Sequence, residues 1–124
     1  MMWLLIACAG NATTDTASKP ATPDFATIEA DILRPSCGFS VCHGTGTGGL
    51  TLTGEGDHVR LIDVESVGQP GSILVLPGDS ANSYLLHKME GAAGIVGDPM
   101  PAPNGSDSDV VAQLRAWIDA GALP

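Results

Sequence analysis

At 124 residues the chain has the length of one domain, and its fourteen acidic residues against five basic ones leave a net charge of −9. That charge repels phosphate backbones and anionic lipid, so nucleic acid is excluded as a partner and a basic protein surface is favoured. Sixteen glycines, nine prolines and only five large aromatic residues bury little apolar area per residue, so a bulky apolar cofactor would fill a gap in the core.

The first ten residues, MMWLLIACAG, are apolar up to Ala7 and reach Cys8 through Leu5, Ile6 and Ala7. This aliphatic-then-small approach to a cysteine resembles the lipobox of bacterial lipoprotein signal peptides. Residues 1–8 are therefore expected to form a signal segment, with Cys8 as the lipidated residue of an exported, surface-anchored protein. No stretch approaches the ~20 apolar residues needed to span a bilayer, so the lipid on Cys8 would be the membrane attachment. Residues 9–23 are small, polar and punctuated by proline, which suits a disordered tether, and Asn11-Ala12-Thr13 fits a glycosylation sequon.

A domain over residues 24–124 follows. Thr22 as cap and Pro23 at the first helical position open a predicted helix whose buried stripe is Phe25, Ile28, Ile32 and Leu33, and Pro35 is expected to stop it. The GTGTGGL segment favours irregular dihedrals or close backbone approach. Asp57 caps a short predicted helix, and GSILVLPGD reads as an extended piece ended by the Pro77-Gly78 turn. Asp79 or Ser80 caps a helix to about Glu90, with Leu85, Leu86 and Met89 on one face and Gly91 as its stop. GDPMPAPNG is too rich in proline and glycine for periodic structure. Ser106 or Ser108 caps the last helix, whose stripe is Val110, Val111, Leu114, Trp117 and Ile118 and whose end is Gly121. The sum is an all-α domain in which terminal helices flank a loop-rich middle; strand-then-helix alternation is absent.

The chemistry concentrates in RPSCGFSVCHGTG, residues 34–46, where Cys37 and Cys42 precede His43. A disulfide between the two cysteines would make a structural or interaction lipoprotein, but it leaves His43 unexplained. Zinc needs four tetrahedral ligands, and the adjacent Cys42-His43 pair is awkward for that. A redox dithiol normally opens a helix in a strand-helix setting. Covalent haem attachment uses all three residues: two thioethers to the vinyl groups, with the following histidine beneath the iron. Haem motifs commonly place two residues between the cysteines, whereas four stand here, from Gly38 to Val41. A second axial ligand is offered by Met100, held between Pro99 and Pro101 on a stiff loop. His58 and His87 are alternative axial ligands, and Met89 reads as core.

The order PSCGFSVCHG, GGLTL, VLPGDSANSYLLHKMEG, GDPMPAP and LRAWIDAGA, over about residues 24–122, resembles the single-haem c-type cytochrome domains of planctomycete and myxobacterial exported proteins. The resemblance implies a class I cytochrome c-like fold, with terminal helices crossing so that Phe25 and Ile28 meet Leu114 and Trp117. It also implies His43 as proximal and Met100 as distal iron ligand of a covalent haem c, and a carrier of single electrons rather than an enzyme. A peroxidase-like or sensor role would need Met100 to dissociate.

Overall fold

The computed structural model describes residues 22–124. Cys8, and the predicted tether up to residue 21, lie outside the described residues. Among those described, the regular structure is helical: α1 (Phe25–Ile28), α2 (Arg34–Cys37), α3 (Asp57–Leu61), α4 (Tyr84–Glu90) and α5 (Ser108–Asp119), with shorter turns between them. No strand forms among the described residues; two isolated bridges, Ile62 with Val75 and Glu65 with Ile73, tie the middle of the chain together. No helix among the described residues is long and apolar enough to cross a membrane.

The first helix starts two residues later than its sequence suggests. Asp24 is the cap, and its carboxylate accepts the Thr27 N–H at 2.8 Å. Nor does Pro35 stop it. Between α1 and α2 the chain takes a π-helical turn over Glu29–Leu33, in which the Arg34 N–H reaches back five residues to the Glu29 carbonyl. A proline ring collides with the carbonyl four residues before it, here that of Asp31, and this carbonyl belongs to the widened turn. The helix therefore runs on to Cys37 and delivers that residue, buried, at its end.

Two other expected caps move. Gly56 precedes α3 in the left-handed region, and Asp57 sits in the first turn, where its carboxylate accepts the Thr53 and Gly54 N–H groups at 2.9 and 2.8 Å. Its buried charge is balanced by Arg60 at 2.7 Å. Asp107, not a serine, occupies the cap position of α5; the Ser106 hydroxyl instead donates to the Met100 carbonyl. Asp79 caps a 3₁₀ turn, Ser80–Asn82, from which α4 continues to its left-handed stop at Gly91.

The terminal helices pack on each other, with the rings of Phe25 and Trp117 5.4 Å apart and His58 set edge-on to Phe25 at 5.0 Å. Ile28, Leu33, Leu61, Leu86, Leu114 and Ile118 are fully buried in one continuous core. The C-terminal end is pinned beneath: His58 Nε2–H donates to the Ala122 carbonyl and Trp117 Nε1–H to that of Leu123. Outside the core, Arg34 pairs with Glu29 and Arg115 with Glu90.

Candidate cofactor cavity

A cavity of about 530 Å³ opens beside the core, within the size range of cofactor pockets. Cys37, His43 and Met100 all line it, although they come from the end of α2, the following loop and the distant Pro99–Pro101 segment. Much of the remaining wall is apolar, with Leu50, Leu52, Leu74, Leu85 and Met89 among its residues. Met89 is thus both core, as its helical stripe predicts, and wall.

The cysteine loop is built by its carbonyls. The Phe39 carbonyl accepts two N–H groups, those of Cys42 and Gly44, each at 2.9 Å. This turn folds the four residues between the cysteines back on themselves. Gly44 has to be glycine there: a Cβ would stand 2.6 Å from the Gly38 oxygen and 2.8 Å from the Phe39 oxygen. The His43 carbonyl then accepts the Leu52 N–H at 2.8 Å, which ties the loop to the chain returning along the cavity. The glycine run makes the close approach its composition predicts, since a Cβ on Gly49 would stand 2.7 Å from Val67 Cβ.

His43 Nδ1 lies 3.1 Å from the Leu50 carbonyl, which can only accept, so Nδ1 carries the proton and Nε2 keeps a free lone pair. The other two histidines spend their Nε2 atoms elsewhere: His58 on Ala122, and His87 on the Ala81 carbonyl at 2.7 Å. Neither lines the cavity.

Cys37 and Cys42 are free thiols. Burial, with a smaller contribution from Cys42, pushes the Cys37 thiol up to about 11, so it is protonated and neutral at physiological pH. Cys42 is half-buried and does not contribute to the cavity wall. No group of three His, Cys, Asp or Glu side chains that could hold a metal ion forms among the described residues.

Met100 is half-buried, and its loop is fastened to α4: its N–H donates to the Lys88 carbonyl at 2.7 Å. Sequence reasoning passed over Arg60, Tyr84 and Lys88, which also line the cavity. Tyr84 and Lys88 are four apart on one helix, a spacing that places them on one face and was the available signal.

No protein-family model, curated protein or solved structure matches the chain.

Proposed function

We propose that this protein is a single-haem c-type cytochrome domain that carries one electron at a time, exported and anchored through Cys8. One observation carries the reading. Cys37 and His43, the proposed thioether donor and proximal ligand, line one largely apolar cavity together with Met100, the proposed distal ligand, which lies fifty-seven residues beyond His43.

The residues fit the group. His43 offers an imidazole whose tautomer is already fixed, with the Nε2 lone pair free. The buried Cys37 thiol is free, the reduced state that thioether formation needs. Cys42, half-buried at the next turn, is the second attachment point, and the Phe39 turn accommodates the four-residue spacing. Met100 supplies a soft sulfur, the donor type suited to haem iron. Haem, when bound, supplies the ferric–ferrous couple.

The remaining work is done by the chain. Leu50, Leu52, Leu74 and Leu85 exclude water from the cavity and lower the dielectric around it, which favours the less charged state of its contents. With His43 and Met100 both holding the iron, no position would be left for a substrate, which favours transfer of electrons over chemistry on a bound molecule. In this reading the packing of Phe25 on Trp117 corresponds to the crossing of terminal helices in class I cytochromes c. The acidic surface suits a redox partner with a basic face.

Mass spectrometry of the exported protein after denaturation tests the proposal. Haem mass retained on the peptide containing Cys37 and Cys42, with a six-coordinate low-spin spectrum before denaturation, is expected. A colourless protein that melts cooperatively would overturn it, and a high-spin spectrum that responds to added ligands would redirect it to a sensor or peroxidase-like role.

A further inference from the structure

The segment that carries Met100 has no regular structure of its own, yet its backbone is held at four points by one face of α4. The Val96 N–H donates to the Tyr84 hydroxyl at 3.1 Å. Lys88 Nζ donates to the Val96 carbonyl at 2.7 Å and to the Asp98 carbonyl at 2.6 Å. The Lys88 carbonyl takes the Met100 N–H at 2.7 Å. Lys88 therefore grips the segment with both its side chain and its main chain.

This use of a lysine is unusual for so acidic a protein. An ammonium is a strongly hydrated point charge, and fourteen carboxylates are available in the chain. Lys88 forms no ion pair with any carboxylate among the described residues; the bonds recorded for its ammonium go to main-chain carbonyls eight and ten residues downstream. Charge-assisted bonds of this kind are roughly twice as strong as neutral ones. Lys88 also borders the cavity beside Met100, so the grip is applied where the segment meets the site.

We infer that Lys88 is the positioning residue that keeps the Val96–Met100 segment closed over the cavity and so holds Met100 in place as the distal ligand. The inference rests on the proposed haem ligation, but the closure is a property of the polypeptide. Without the ammonium, two carbonyls lose their donor and the segment retains the Tyr84 and main-chain bonds only. The segment then opens more often, and a competing ligand reaches the iron during each opening.

The test compares wild type with Lys88→Met, which keeps the aliphatic stem, Lys88→Arg, which can donate to both carbonyls, and Arg115→Ala, which breaks the surface ion pair with Glu90 at the end of α4. Two readouts are taken on each: hydrogen exchange of the Met100 amide, and binding of imidazole to the ferric protein with the methionine-to-iron charge-transfer band as its signal. In Lys88→Met, Met100 exchange should accelerate and imidazole should bind about tenfold more tightly, because apparent affinity scales with the open fraction. Lys88→Arg should restore both, and Arg115→Ala should change neither. Unchanged exchange and unchanged imidazole affinity in Lys88→Met would overturn the inference, as would equal effects in Arg115→Ala. If wild type carries no haem the proposed function fails instead, and accelerated Met100 exchange in Lys88→Met then still identifies the strap.

Discussion

The Nδ1–H of His43 donates to the Leu50 carbonyl at 3.1 Å, so the same residue that lines the cavity also closes the glycine-rich loop. Replacing His43 by alanine removes both contributions. His43→Ala is expected to fail in haem retention and to melt at a lower temperature than wild type, with absorption spectra and thermal unfolding as the measurements. A stable, haem-loaded His43→Ala protein would contradict the assignment.

Gly44 makes a separate prediction, because its neighbours are backbone atoms that cannot swing aside. A methyl group there meets the Gly38 and Phe39 carbonyl oxygens at 2.6 and 2.8 Å. Gly44→Ala should therefore cost about 1–3 kcal/mol, the usual range for forced overpacking. Urea unfolding would measure it, and the yield of haem-attached protein should fall in parallel because the turn that presents Cys42 and His43 is displaced.

Cys37 predicts an alkaline loss of stability in the haem-free protein. Burial raises its folded value from 9.0 to about 11, so the fold favours the protonated thiol. Its contribution is fully present below pH 9.0 and is lost as pH rises through 11. At about 1.4 kcal/mol per pKa unit, less some allowance for partial solvent access, this is about 2 kcal/mol. Urea titrations across that window should show the decline in wild type and not in Cys37→Ala. The covalently loaded protein should also lack it, since a thioether has no proton to lose.

Trp117 links the terminal helices and the C-terminal end at once, through its contact with Phe25 and its bond to Leu123. Trp117→Ala should cost about 3–5 kcal/mol, the range for deleting a large buried aromatic. Trp117→Phe, which keeps much of the volume but not the indole N–H, should cost less. Chemical denaturation of the two variants would separate packing from the hydrogen bond.

The helices were legible where one local signal dominated. The α5 stripe placed Leu114, Trp117 and Ile118 inside, and the Gly91 stop emerged as read. Pro35 was misleading because its cost depends on whether the carbonyl of Asp31 stays in line, and the π-helical turn that changes this has no simple periodic signature. The cap of α5 was misplaced by one residue because Ser106 is drawn to the Met100 carbonyl, a contact set by tertiary structure. Around the cavity, adjacency to Cys42 marked His43 and two flanking prolines marked Met100, and both line the wall, whereas Cys42 itself does not. Tyr84 and Lys88 stayed hidden because their partners, Val96 and Asp98, offer only backbone groups, which carry no side-chain identity to read.

Every lysine and arginine among the described residues is occupied internally: Arg34, Arg60 and Arg115 by carboxylates, and Lys88 by carbonyls. The acids left over therefore set the sign of the far field without local interruption. A cationic visitor would be drawn in from beyond contact distance at low salt and much less so where the screening length shrinks to about 8 Å. On the proposed Cys8 anchor, identical molecules side by side would hold one another apart, and so leave approach lanes between them.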